Sequence, residues 1–227
     1  MSSRGYVYDQ WRIDLEDLHH TPSIKDGKTY EEERIARSKG CMFITSLGNS
    51  LRVTQIVIAS ASVFFHRFFL RNSFKDHHFY DVGAACLFLA TKTEECGRHL
   101  DDIVRDVMKH CSKTENFKVE KDSKEFKTWK RIIIFYEELV LEAVCFDLEI
   151  DHPYKQMIKF SESLGCSDKL SRSAWAFLND SFRTTLCLTH DNEVVAAAAI
   201  FIASKYLDEP LPHSEALWRK LVGSYVC

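Results

Sequence analysis

The sequence predicts an all-α protein made of two tandem helical repeats behind an N-terminal arm. Three observations support this prediction. Glycine and proline number only 8 and 4 among 227 residues, and such a shortage of chain breakers favours long helices over short strands joined by turns. Apolar residues recur at helical spacing in several long segments. An apolar segment that begins at Val82 returns in similar letters at Val195, which indicates an internal duplication.

The arm and the first two helices come first along the chain. Residues 1–30 show little periodicity, and we interpret them as an extended arm that packs on the folded body. The first helix is predicted over about residues 31–48, with apolar contacts at Ile35, Cys41, Phe43, Ile44 and Leu47. The second is predicted over about 54–70, where Thr54 is a suitable N-cap. Its apolar residues share one helical face, at Val57, Ala61, Phe64, Phe65 and Phe68.

Three further helices complete the first repeat, which we place at residues 31–150. The third, over about 80–93, is apolar nearly all round and therefore belongs at the centre of a bundle. Ile103, Val107 and Met108 mark a shorter fourth helix, and a charged stretch over 112–125 is predicted to be a loop. The fifth helix has a clear apolar face and ends near Phe146, before a linker that contains Pro153.

The second repeat is placed at residues 151–227. Helices are predicted over 154–164, about 167–188 and about 192–207, and another begins within 213–227. This repeat is expected to be incomplete, since the sequence given ends within its fourth helix.

The duplication is supported by a gap-free match. VGAACLFLATK at 82–92 aligns with VAAAAIFIASK at 195–205, an offset of 113 residues. The same offset sets Ala61 on Ala174 and Phe64 on Phe177 in the preceding helix. The match includes a polar residue, Lys92, in addition to the apolar face. Two unrelated Ala-rich helices would not need to share such a lysine.

Cysteine use and apolar run length indicate a reduced, non-membrane protein. The eight cysteines include several inside apolar runs, and no CxxC pair occurs. We therefore expect buried thiols rather than disulfides, and no metal site. The apolar runs are too short to span a bilayer, and the polar first residues do not resemble a secretion signal.

Catalysis finds no support in the sequence. It contains no GxxxxGK[ST] loop, no HExxH and no GxSxG. The adjacent pairs His19–His20 and His77–His78 are not ready ligand pairs, because neighbouring side chains point apart on a helix or strand. We expect neither catalytic residues nor a cofactor. The formal net charge of −3 argues against direct nucleic-acid binding.

Several motifs resemble the cyclin box family over about residues 11–205. The strongest are AACLFLATKTEE at 84–95 and LVLEAVCFDL at 139–148. HTPS at 20–23, FHRFF at 65–69, NSFK at 72–75 and HPY at 152–154 are similar to the transcriptional K and T types, and to K more than T.

The resemblance implies a kinase-binding site. Lys92 and Glu137 match family residues that hydrogen-bond kinase backbone beside the kinase's regulatory helix. Leu141, Phe146 and Leu148 match apolar positions that pack against that helix, although core packing alone would also explain apolar residues there.

The resemblance also implies a function and a compartment. The chain would be a non-catalytic subunit that binds and activates a transcriptional cyclin-dependent kinase in the nucleus. It would thereby promote phosphorylation of the RNA polymerase II C-terminal domain and transcription elongation. An alternative stays open, namely a cyclin-fold adaptor in the transcription machinery that binds proteins or nucleic acid without activating a kinase.

Overall fold

The computed structural model of the chain describes residues 10–112 and 119–211. These ranges hold a short 3-10 helix at Leu15–His19, ten α-helices and no strand, so the predicted all-α class is confirmed. The α-helices are α1 (Pro22–Lys25), α2 (Tyr30–Ser50), α3 (Gln55–Arg71), α4 (Phe79–Thr93), α5 (Leu100–Cys111), α6 (Lys124–Ala143), α7 (Tyr154–Leu164), α8 (Asp168–Ser181), α9 (Leu186–Thr189) and α10 (Asn192–Tyr206).

The first bundle is built around α4. This helix packs against α2, α3, α5 and α6, and residues 82–91 are all buried. The nearly all-apolar sequence of α4 explains the position, because a helix without a polar face is stable only when neighbours surround it. The central placement predicted for this helix is therefore confirmed.

The second bundle has its own apolar cluster, which α7, α8 and α10 supply. Leu170, Leu178 and Ile200 are fully buried in it. Ala59 and Val63 of α3 also belong to this second cluster. One helix of the first bundle thus contributes to both cores.

The helix positions follow the offset of 113 residues found in the sequence. Helix α4 spans 79–93 and α10 spans 192–206, while α3 begins at Gln55 and α8 begins at Asp168. This shared register supports the duplication. The repeat boundaries at residues 31, 150 and 151 stay predictions. The helix predicted within 213–227 and the first nine residues of the arm lie outside the described residues.

The predicted continuous helix over 167–188 is wrong, because the chain breaks between α8 and α9. Phe182 is buried, and its carbonyl accepts a hydrogen bond of 3.0 Å from Nε2 of His66. Thr184 donates its hydroxyl to the carbonyl of Ser181 at 2.7 Å. Such bonds take carbonyls that a continuing helix would need, so helix propensity is overridden locally.

Three smaller expectations are also wrong. Ile35 is exposed on α2 rather than a core contact, and the thiols of Cys111 and Cys145 are exposed rather than buried. Helix α6 begins at Lys124, inside the predicted loop, because the hydroxyl of Ser123 caps it by accepting from the Phe126 amide at 3.2 Å.

The described part of the arm, residues 10–30, packs on the body, but it is not extended throughout. Trp11 and Leu18 are buried, and two short helices lie within the arm. The amide of Ile13 donates to the carbonyl of Leu188 at 3.0 Å, and Arg12 pairs with Asp191 at 2.6 Å. The arm therefore reaches the second bundle.

Candidate functional site

A charge pair joins the end of α4 to the middle of α6. Nζ of Lys92 lies 2.6 Å from Oε1 of Glu137 and 3.9 Å from the centroid of the Phe88 ring. The position suits a cation, because the carbonyl end of a helix carries partial negative charge and an aromatic face attracts ammonium. The Lys92 side chain is 49% exposed and that of Glu137 only 13%. The structure thus brings together the two charged residues that the sequence singled out.

Apolar side chains lie beside this pair on the same face of α6. Leu141 follows Glu137 by one turn and is half-buried against the core, while Ile134 precedes it by three residues and is 52% exposed. Residues three and four positions apart on a helix are neighbours on its surface. Sequence reasoning missed Ile134, although its spacing of three residues from Glu137 was a usable signal.

The segment that follows α6 presents the largest exposed side chain of the site. Phe146 is 67% exposed, so core packing does not explain this residue. Leu148 is half-buried and packs against the first core. The structure therefore separates the predicted apolar residues into one solvent-facing ring, Phe146, and two partly covered side chains, Leu141 and Leu148. The role of all five residues as kinase contacts stays a prediction.

A serine, a histidine and a carboxylate meet near the end of α4, and the sequence did not single them out. The hydroxyl of Ser60 donates to Oε1 of Glu94 at 2.6 Å and lies 2.9 Å from Nε2 of His152. Burial lowers the pKa of His152, although the negative charges of Glu94 and Asp151 act to raise it. Ser60 is completely buried, so these contacts hold the linker between the bundles against α3 and α4 and offer no open site for substrate.

No group of three or more His, Cys, Asp or Glu side chains in the described ranges is arranged to hold a metal ion. Among the helices of the same ranges, none combines the length and apolar content needed to cross a membrane.

The fold is a pair of helical bundles, with an exposed surface of charged and apolar side chains at the junction of α4 and α6. The family model described as "Cyclin, N-terminal domain" matches residues 13–149. That match covers more than half of the chain, so the chain belongs to the cyclin family. Cyclins are regulatory subunits of kinase complexes.

The similar relatives carry names of the transcriptional cyclin types. Cyclin pch1 of Schizosaccharomyces pombe is 42% identical over 195 residues, which are 86% of this chain and 57% of that protein. Cyclin-T1-3 of Oryza sativa is 36% identical over 219 residues, or 94% of this chain and 45% of the relative. Human Cyclin-K is 33% identical over 199 residues, which are 86% of this chain and 33% of that protein.

These comparisons confirm the predicted transcriptional type. The preference for the K type over the T type stays a prediction. The chain spans about half the length of the curated relatives it matches, or less.

Solved structures agree with the fold. The yeast RNA Pol II CTD kinase CTDK-1 complex contains a chain that matches with a TM-score of 0.76 at 20% identity, over 94% of this chain and 72% of that one. A chain of the yeast TFIIK (Kin28/Ccl1/Tfb3) complex matches with a TM-score of 0.70 at 18% identity, over 98% and 97%. At such identities the likeness carries the fold alone.

Proposed function

We propose that this chain is a regulatory subunit that binds and activates a transcriptional cyclin-dependent kinase. The single observation that carries the proposal is the Lys92–Glu137 pair, set beside the exposed apolar side chains of Ile134 and Phe146. An amphipathic helix of a partner, laid across this surface, would meet apolar anchors next to two charges, which is the helix-in-groove mode of recognition. The relatives' names and the two kinase complexes support the same class of partner.

The charge pair suits backbone recognition because each member keeps hydrogen-bonding capacity. An ammonium group has three donors, and one of those of Lys92 is used by Glu137. A carboxylate offers about four lone-pair sites, so Glu137 retains acceptors as well. Their mutual contact holds both side chains in place before a partner arrives, which lowers the entropy lost on binding.

Activation is then a conformational effect. A kinase helix held against the α4–α6 surface stays inward, where its glutamate pairs with the lysine that contacts ATP. The chain supplies no catalytic residue in this proposal. The finer parts of the proposed function are a nuclear location, the RNA polymerase II C-terminal domain as the substrate of the complex, and promotion of transcription elongation.

The first test is capture of the partner. The tagged chain, incubated with nuclear extract, is expected to capture a cyclin-dependent kinase. Native mass spectrometry should then show a one-to-one complex of the chain and that kinase. Purified chain should then stimulate that kinase on a C-terminal-domain repeat peptide. A captured kinase without any gain in activity would contradict activation and favour the adaptor alternative. Failure to capture a kinase would contradict the proposal altogether.

The second test addresses the surface. Lys92→Ala with Glu137→Ala should weaken kinase affinity about tenfold or more, since hydrogen bonds to charged groups contribute on the order of 1.5–3 kcal/mol each. Lys205→Ala is the matched control, because Lys205 occupies the equivalent position of α10 and its Nζ also lies near a ring, 5.4 Å from the Phe201 centroid. Circular dichroism should show unchanged helix content in both. Normal activation by the double variant would show that the site is assigned wrongly.

A further inference from the structure

The turn that carries Phe146 has a backbone conformation that needs support. Cys145 and Phe146 have φ angles of 54° and 55°, in the left-handed region. That region is unfavourable for residues with a bulky side chain. Phe146 is mostly exposed, so burial of its own ring does not offset this cost. Neighbouring groups must therefore hold the turn.

The arm supplies one side of that support through Asp147. Oδ2 of Asp147 accepts a hydrogen bond of 2.8 Å from Nε1 of Trp11 and one of 3.1 Å from Nε2 of Gln10. Burial acts to raise the pKa of Asp147, but these hydrogen bonds and the charge of Arg67 hold it below its ordinary value. The carboxylate is thus ionised, and hydrogen bonds to an ionised acceptor are among the stronger ones.

Helix α3 supplies the other side. The guanidinium of Arg67 donates to the carbonyl of Asp147 at 3.2 Å, and that of Arg71 donates to Sγ of Cys145 at 2.7 Å. Both guanidinium groups also lie over the Trp11 ring, 4.7 Å and 4.9 Å from its centroid. Trp11 is buried between them. Trp11 therefore contacts Asp147 of the turn and both arginines that bond the turn from α3.

We propose that Trp11 is a positioning residue for the docking surface: it holds the turn at residues 145–147 so that Phe146 faces the partner in one orientation. This inference rests on the proposed function, because it gives Trp11 a role in kinase binding without any contact to the kinase. The benefit is preorganisation, since a turn that is already ordered loses less entropy on binding.

A first experiment needs no kinase. Trp11→Phe retains an aromatic ring between the two arginines but removes the N–H donor. The amides of Cys145, Phe146 and Asp147 bond the carbonyls of residues 142, 141 and 144. Hydrogen–deuterium exchange at these three amides should become about tenfold or more faster in the variant, as expected when a hydrogen bond to a charged group is lost. Unchanged exchange at the turn would overturn the inference, whatever the chain binds.

The second experiment is a double-mutant cycle on the affinity for the captured kinase. Trp11→Phe alone should weaken binding about fivefold and Phe146→Ala alone about tenfold, within the range for loss of single interface contacts. The combined variant should be no weaker than Phe146→Ala alone, because Trp11 acts through Phe146. With Lys92→Ala, by contrast, the effects of Trp11→Phe should multiply, since Lys92 acts through its contacts with Glu137 and Phe88.

Two outcomes of the cycle would overturn the inference. Effects of Trp11→Phe and Phe146→Ala that multiply would mean that Trp11 acts independently, for instance by touching the kinase. A wild-type chain without kinase affinity would overturn both this inference and the proposed function. Leu15→Ala, in the exposed part of the arm, is the control and should bind as the wild type. Affinities are measured below the melting temperature of the least stable variant.

Discussion

A neutral histidine lies at the centre of the polar contacts between the two bundles. Nδ1 of His66 is 3.3 Å from a guanidinium nitrogen of Arg37, and Nε2 donates to the carbonyl of Phe182 at 3.0 Å. Arg37 is itself buried and paired with the buried carboxylate of Glu33 at 2.7 Å. Because Arg37 already donates to Nδ1, a proton on that nitrogen would face a positive charge.

This arrangement predicts that the protein loses stability in mild acid. Burial, with the charge of Arg37, lowers the pKa of His66 from 6.5 to about 3, against the hydrogen bond to Phe182. Below pH 6.5 the unfolded chain therefore binds a proton at His66 that the folded chain does not bind. The free energy of unfolding consequently decreases as the pH is lowered through this range. The loss attributable to His66 between pH 7.5 and 5 should be about 2 kcal/mol.

The measurement is urea denaturation at pH 7.5 and pH 5. The decrease in stability should be smaller for His66→Gln than for the wild type, by about the 2 kcal/mol assigned to this group. His20→Gln changes an exposed histidine and should retain the full decrease. Equal decreases in all three proteins would refute the assignment to His66. Burial also lowers the pKa of His152, so a smaller pH dependence should remain in His66→Gln.

Residues of the proposed docking surface differed in how far their positions could be predicted from the sequence. Lys92 and Glu137 could be identified because one ends an apolar helix and both match a family pattern. The exposure of Phe146 could not, because it depends on two left-handed residues held by Trp11 and Arg71 from distant parts of the chain. Contacts between residues so far apart in the sequence leave no local sequence pattern.

At the scale of elements, close helix approach depends on a missing side chain. A Cβ built on Gly40 of α2 would lie 2.1 Å from Cζ of Phe65 on α3. Phe65 is fully buried and packs against Phe69 and Phe74, so its ring has little room to move. Gly40 therefore lets α2 and α3 pack at this distance.

Gly40→Ala should consequently destabilise the fold, even though alanine is the better helix former. Overpacking of this kind costs on the order of 1–3 kcal/mol, more than the roughly 1 kcal/mol that alanine adds in helix propensity. Gly97→Ala is the control, since nothing lies within 4 Å of the added Cβ there. Thermal unfolding checks both variants. A melting temperature of Gly40→Ala at or above that of the wild type would contradict the packing argument.

Helix ends were predicted correctly where the apolar pattern alone sets them, and wrongly where tertiary contacts compete with that pattern. The ends of α4 and α10 were predicted within a residue or so, because uniform apolar sequences end at polar residues. The break after α8 was not predicted, since the carbonyl of the buried Phe182 accepts a hydrogen bond from the distant His66. Ile35 was misassigned because its helical spacing fits the core while its side chain faces solvent.

At the scale of the whole molecule, the two bundles are joined by more than a linker. Ala59 and Val63 of α3 belong to the second core, and the linker is tied to both bundles. Ser60 contacts His152 at 2.9 Å, while Nδ2 of Asn192 donates to the carbonyl of Asp151 at 3.0 Å. Sequence repetition indicates two units, but these contacts predict that they unfold as one.

Calorimetry should therefore show a single unfolding transition with equal calorimetric and van't Hoff enthalpies. Ile133→Ala creates a cavity in the first core and Leu178→Ala one in the second, at fully buried positions. Each should cost about 2–5 kcal/mol and lower the melting temperature of the same transition. Two resolved transitions, each moved by only one of the variants, would show that the bundles are thermodynamically separate. In that case the proposed docking surface of the first bundle would tolerate damage to the second, whereas a single transition would couple the proposed kinase binding to the integrity of both.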